Sequence, residues 1–231
     1  MKTGNKKILV SITTSRGSDW KSKIEEIKEL GLDEVAAFPT CLCKNDREEF
    51  YGLIKESCIK SIPLVHLRND MTVDEMDYFI KNYDTKVFCT HTKREYDFLC
   101  DLSKYHNIIG IENVYYPFDE EEIKVFGGIC LDLSHLENAR ILTREIFEQN
   151  VKMLEKYPVI VNHVNSVKKT FHIDENGYTR YDDHFFENFS EFDYLKNYPE
   201  NYFSPIIAIE LENSIKEQLK VKDYLNNIIN K

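Results

Sequence analysis

At 231 residues the chain is long enough for one large domain with a substantial core, in the range where α/β barrels stay single-domain. With 40 Asp+Glu against 30 Lys+Arg its net charge is −10. That disfavours a broad nucleic-acid footprint, because phosphate contacts need clustered Lys and Arg, although a local basic groove or bound divalent ions would still admit one. No apolar stretch approaches the roughly 18 residues of a membrane span, and MKTGNKKILV is too short and polar for a signal peptide. A cytoplasmic protein with no membrane partner is expected.

The elements alternate strand and helix without a break. A strand over about 7–13 leads to the helix WKSKIEEIKELG, with Gly31 as its C′ residue. DEVAAFP follows, then the helix DREEFYGLIKESC with Asp46 as N-cap. IPLVH leads to TVDEMDYFIKNY, where Thr72 and Glu75 form a capping-box pattern. KVFCT leads to the helix KREYDFLCDLSKY, and IIGIENV to FDEEEIKVF. GGICLDL precedes a long helix around TREIFEQNVKMLEKY, closed by Pro158. VIVNHV enters a long polar loop and then the helix FFENFSEFDYLKNY, and PIIAIEL leads to NSIKEQLKVKDYLNNIIN. These eight βα units carry no linker or low-complexity tract. They predict a parallel sheet closed into a (β/α)8 TIM barrel, one domain over residues 1–231. An open doubly wound sheet fits less well. No Gly-rich phosphate fingerprint follows the first strand, and an open sheet gathers only a few strand ends at its switch point.

Groups that bind metals fall at the ends of these apolar runs. His66 closes IPLVH, His91 follows KVFCT and Glu112 closes IIGIE. Asp132 and His135 close GICLDLSH, His163 closes VIVNH and Glu210 closes IIAIE. A short β-branched run reads as a buried parallel strand, so a group at its C-terminal end faces the space beyond the sheet. One such His or Glu is ordinarily a hydrogen-bonded structural group. Here five of the seven histidines (His66, His91, His135, His163 and His184) lie at or just beyond strand ends, leaving His106 and His172 as surface residues. Mixed imidazole and carboxylate suits Zn, Mn, Co or Fe. The six cysteines show no disulfide-framework spacing, and Cys89 and Cys130 read as small hydrophobes inside strands. Cys41-x-Cys43 lacks a second pair and reads as loop. No Ser-His-Asp or Cys-His arrangement can be defended from spacing.

IGIENV with Glu112, CLDLSH with Asp132 and His135, VNHVNS with His163, and IAIELEN with Glu210 resemble the metal-binding strand ends of the xylose isomerase-like TIM barrels. That superfamily holds sugar isomerases and epimerases and also endonuclease IV. The likeness runs over essentially the whole chain in strand order. From the epimerase-type members it implies a single Mn, Co or similar ion on Glu112, Asp132, His163 and Glu210, with Glu112 and Glu210 doubling as acid and base. From endonuclease IV it implies a three-zinc cluster with further ligands. His66, His91 and His135 fall where these would be, and Asp182-x-His184 resembles its Asp-x-His pair. FFENF after His184 lacks the glycines of that pattern, and Asp183 is an equally available carboxylate. The expected cofactor is therefore one to three divalent ions.

Lys168 and Lys169 beyond strand seven and Arg68 after His66 are candidate substrate-binding groups or solvated side chains, and Tyr115, Tyr116 and Phe118 could wall a pocket. Three functions are consistent with these residues. The first is a metal-dependent isomerase or epimerase of a small sugar or sugar phosphate, with Glu112 and Glu210 moving the proton. The second is an endonuclease IV-like multi-zinc phosphodiester hydrolase, and the third a degenerate barrel without turnover. The extra histidines favour the second, but short loops and acidic charge favour a small-molecule substrate over nucleic acid, and the isomerase or epimerase is the leading expectation.

Overall fold

The computed structural model describes residues 4–15, 17–174 and 176–230. The N-terminal apolar run forms β1 (Lys7–Leu9) and β2 (Ser11–Thr13), followed by α1 (Trp20–Leu30), β3 (Ala36–Phe38), α2 (Lys44–Lys55), β4 (Leu64–His66), α3 (Val73–Tyr83) and β5 (Val87–His91). Then come β6 (Ile109–Glu112), α4 (Glu120–Val125), β7 (Gly128–Asp132), α5 (Leu133–Leu142), α6 (Arg144–Leu154) and β8 (Val159–Val164). A hairpin of β9 (Ser166–Ile173) and β10 (Thr179–Asp183), β11 (Ile206–Ile209) and α7 (Ile215–Ile229) complete the chain. Nine strands form one parallel sheet in the order β1-β11-β8-β7-β6-β5-β4-β3-β2.

The two outer strands are one stretch of chain. β1 pairs with β11, β2 pairs with β3, and only Val10 separates them, its carbonyl accepting from Ala36 N at 2.9 Å. The sheet therefore closes, nearly, into the expected barrel with helices outside. Where β2 parts from β11 the fully buried Gln218 of α7 fills the seam. Ser11 N donates to its Oε1 at 2.8 Å, and its Nε2 donates to the carbonyls of Ser11 (3.1 Å), Leu211 (3.0 Å) and Asn213 (3.1 Å). Buried backbone groups without partners cost about 1–3 kcal/mol each. Gln218→Ala is accordingly expected to lower urea-unfolding stability by about 3 kcal/mol or more. A loss under about 1 kcal/mol would mean that water replaces the amide.

Inside the barrel lie Leu9, Phe38, Leu64, Cys89, Cys130, Val161 and Ala208, and two larger apolar clusters fill the space between sheet and helices. Phe38 forms the floor beneath the mouth, its ring 4.9 Å from that of His163 and 5.8 Å from that of His66. Gly110 on β6 is needed because a Cβ there would lie 2.8 Å from Cys130 N. No described helix is long and apolar enough to cross a membrane.

Gly31 caps α1 at φ 65°, and Thr72 and Glu75 form the capping box of α3, as expected. Glu75 is also the hub of a buried network. Its carboxylate accepts from Arg47 Nε at 2.8 Å, Tyr51 Oη at 2.7 Å and Thr72 N at 2.9 Å, while Arg47 is 1% exposed. Burial opposes ionisation of Glu75, but the Arg47, Tyr51 and Thr72 donors outweigh it and hold its carboxyl below the ordinary value. A depressed folded pKa contributes stability above the unfolded pKa that is lost as pH falls through the folded one. Urea unfolding should therefore show an acid loss below pH ~4.5 that Glu75→Gln flattens. At pH 7 Glu75→Ala should cost about 3 kcal/mol, since it leaves Arg47 Nε and the Tyr51 hydroxyl without their acceptor while Asp70 and Leu42 O hold only Arg47 Nη1.

Four local expectations are corrected. Asp46 is not an N-cap: α2 starts after Cys43, and Asp46 Oδ2 accepts from the Cys43 thiol at 2.9 Å. The segment 93–105 forms no α-helix, only turns and a 3-10 helix at Ser103–Ile108. Its start is held by Glu122, which accepts from Thr92 Oγ1 at 2.5 Å and Lys93 N at 2.9 Å, while Asp101 caps Ser103 N at 2.9 Å. The segment 185–198 contains a 3-10 helix at Phe189–Asn197 in place of an α-helix. The long polar loop after β8 is the antiparallel β9–β10 hairpin, with an irregularity between Arg180 and Asp182.

Candidate metal centre

The C-terminal ends of six strands converge at the barrel mouth. His66 ends β4, His91 ends β5, Glu112 ends β6, Asp132 ends β7, His163 is next to last in β8 and Glu210 follows β11. Register brings neighbours level, with His91 opposite Glu112 and Asp132 opposite His163. All but His91 are buried.

Glu112 lies at the middle. Its Oε2 is 2.7 Å from His66 Nε2 and 3.7 Å from His91 Nε2, while its Oε1 is 3.3 Å from His163 Nδ1 and 3.6 Å from His135 Nε2. His163 Nδ1 also lies 3.5 Å from Glu210 Oε2. Two groups whose ligand atoms sit within 4.8 Å of one another, His66–His91–Glu112 and Glu112–Asp132–His163–Glu210, therefore share this carboxylate. Two further groups, His66–Cys89–His163 and Glu112–Cys130–His163, include buried thiols. Burial pushes the Cys89 thiol up to about 11 and raises that of Cys130, so both stay protonated. They act here as partners of His163 Nε2, at 3.2 and 3.4 Å.

The outer hydrogen bonds fit a bound metal. A ligating imidazole ordinarily engages an outer partner with its second nitrogen. His66 Nδ1 faces Leu67 O at 3.0 Å, His135 Nδ1 faces Asp182 Oδ2 at 2.7 Å, and His163 Nε2 faces the thiols. That leaves His163 Nδ1 buried, without a hydrogen-bond partner and facing carboxylates. The buried His/carboxylate cluster could hold a metal ion.

Asn113 and Asn165 brace the carboxylates. Asn113 exchanges hydrogen bonds with the Asp132 backbone at 2.9 and 3.0 Å, and Asn165 Nδ2 donates to Asp132 Oδ2 at 3.1 Å. Asp132 Oδ1 also caps α5, accepting from His135 N at 2.7 Å. Burial works against the Glu112 carboxylate, yet the His163 and His66 imidazoles hold its pKa well below the usual range. Burial disfavours a charged His135, but Asp132 and Asp182 raise it to about 9. His91, although its side chain is 29% exposed, is pushed down to about 3 by desolvation of its ring within the cluster and by the neighbouring His66, His135 and His163.

Several expected site residues are placed differently. His135 lies just beyond the end of β7, in the first turn of α5. Asp182, not Asp183, faces the site, yet as a support: it accepts from His135 and from Arg180 Nε at 2.8 Å, and it belongs to neither shared group. Asp183 accepts from Phe185 N instead. His184 stands beside the cluster with Nδ1 3.1 Å from Glu210 O, and joins neither group. Lys168 pairs with Glu191 at 3.0 Å, Lys169 is exposed on β9, and Arg68 donates to Leu42 O at 2.8 Å. Nearer acceptors take the donors of Lys168 and Arg68, and Lys169 is exposed. Tyr115 anchors the hairpin, stacking on Tyr178 at 4.5 Å and donating to Asp174 at 2.7 Å, and Phe118 is core. Tyr116 is exposed.

Sequence reasoning missed Asn113, Asn165, Arg180 and Glu95. The asparagines adjoin or closely follow ligand candidates, a signal that was readable. Glu95 lay hidden inside the expected helix. No protein-family model matches the chain, and no curated protein matches it.

Proposed function

We propose that this barrel is a multi-metal phosphoester hydrolase of the xylose isomerase-like superfamily, similar in site chemistry to endonuclease IV. The observation that carries it is the division of Glu112, one oxygen toward His66 and His91 and the other toward His163 and His135. A carboxylate so placed can bridge two cations. His66 and His91 would hold one, where the two imidazoles favour zinc; Asp132, His163 and Glu210 would hold the other. Divalent ions there would supply Lewis-acid activation of water and charge for the attacking and leaving oxygens of a displacement at phosphorus.

The protein's own part is positioning. Asn113 and Asn165 fix Asp132, and Asp182 with Arg180 fixes His135. The apolar floor around Phe38 keeps water from entering below. With net charge −10 and, among the described residues, Lys168 and Arg68 engaged by other acceptors, a small phosphoester suits the mouth better than a long nucleic-acid footprint.

An isomerase or epimerase is the second reading, favoured because Glu112 and Glu210 flank His163 at 3.3 and 3.5 Å. It asks Glu112 to take a proton from carbon while both its oxygens already face imidazoles, which makes it a poor base.

Metal analysis of protein purified without chelator tests the choice. Two or three ions per chain and cleavage of an aryl phosphodiester are expected, with abasic DNA as a further substrate arm. One ion per chain, with exchange of a ketose phosphate C–H proton into deuterated water and no phosphoester cleavage, would overturn the hydrolase.

A further inference from the structure

Among the described residues, the buried atoms without hydrogen-bond partners include one carboxylate oxygen outside the ligand set, Glu95 Oε2. The segment after β5 makes a single turn, Glu95 N bonding to Thr92 O at 2.9 Å, which folds Glu95 back over the end of the strand. Tyr115 N donates to Oε1 at 3.2 Å and so fixes the carboxylate plane. Oε2 then lies 3.4 Å from His91 Nδ1, with the Glu95 side chain 4% exposed. A buried carboxylate oxygen without a donor is costly, and His91 is positioned to provide one.

His91 needs such a partner. His66, His135 and His163 each commit one ring nitrogen to a group outside the cluster; His91 presents Nε2 to Glu112 and Nδ1 to Glu95. Its ring is packed edge-on against His66 at 4.9 Å and tilted against Tyr96 at 5.5 Å, so packing fixes its plane while Nδ1 protonation is left to its neighbour. Glu95 itself joins neither shared group of ligand atoms, so it acts through His91.

We propose that Glu95 is a positioning residue. It accepts from His91 Nδ1–H, fixes the tautomer with its lone pair on Nε2, and so tunes the His66–His91–Glu112 half of the centre alone. This rests on the multi-metal reading and names a support that the ligand set does not contain.

The test is zinc retention against graded chelator, read as ions per chain, in wild type and in E95Q, E95A, H91A and the double variant H91A/E95A. Loss of an outer partner typically weakens metal binding about 10- to 100-fold. E95A should weaken one ion by about a hundredfold, and E95Q, whose amide oxygen can still accept, by about tenfold. The ion held by Asp132, His163 and Glu210 should keep its affinity in both. The double variant should lose no more than H91A, because the two residues act as a unit. A role in packing alone would shift the melting temperature of the chelated protein and leave zinc affinity unchanged. If E95A does not fold, near-isosteric E95Q carries the comparison. Wild type with two or more ions and E95Q at wild-type affinity would overturn the Glu95 role alone. Wild type with fewer than two ions would overturn the multi-metal reading and the Glu95 role with it.

Discussion

Glu112→Ala is expected to empty both halves of the centre and to lower phosphoester hydrolysis by more than about a thousandfold. Metal ions contribute several kcal/mol of charge stabilisation in such displacements, and each 1.36 kcal/mol is a factor of ten, so losing about 4 kcal/mol gives that figure. The contrast is with His91→Ala, which touches one half only and should leave the other ion in place. The prediction follows from the position of one side chain, 3% exposed, whose two oxygens face two groups of ligands. Ion counts and kcat for both variants check it. A Glu112→Ala protein that keeps two ions, or more than about a tenth of the activity, would show that the shared carboxylate is not the bridge.

Much of that site was legible before any coordinates. His66, His91, Glu112, Asp132, His163 and Glu210 close apolar runs, and a closed parallel barrel must bring such ends to one mouth. Strand order equals chain order around β4 to β8, so the middle place of Glu112 was implicit as well. Its division between two groups was not, because spacing does not fix a rotamer.

The errors share a cause. The pattern KREYDFLCDLSKY satisfies helical periodicity, yet Glu122, far along the chain, takes the hydrogen bonds of Thr92 and Lys93. Propensity does not report a distant acceptor. Loss of that helix is what turns Glu95 inward, so the least readable segment carries the residue proposed to position His91. Arg180 is similar: a basic residue in an expected polar loop becomes, once the hairpin forms, the buried partner of Asp182 and a cation over the Tyr115 ring at 5.0 Å.

Removing metal should destabilise the fold itself. Glu112, Asp132 and Glu210 are 3%, 0% and 8% exposed, with ligand atoms within 4.8 Å of one another and of His163. Like charges this close and this dry oppose one another, and cations bound only by the native state relieve that. A ligand at a thousand times its Kd stabilises by about 4 kcal/mol, and each kcal/mol moves the melting temperature of a chain this size by about 2–4 °C. Chelation should therefore lower Tm by roughly 8–16 °C, and zinc should restore it in proportion to the logarithm of its concentration. The triple variant Glu112→Gln, Asp132→Asn, Glu210→Gln should not respond to zinc. Stability given up by the bare protein would then be the cost of holding three carboxylates in place for an ion. Calorimetry of the chelated and zinc-loaded forms decides it: a Tm unmoved by complete loss of bound metal would mean that imidazolium already neutralises the cluster.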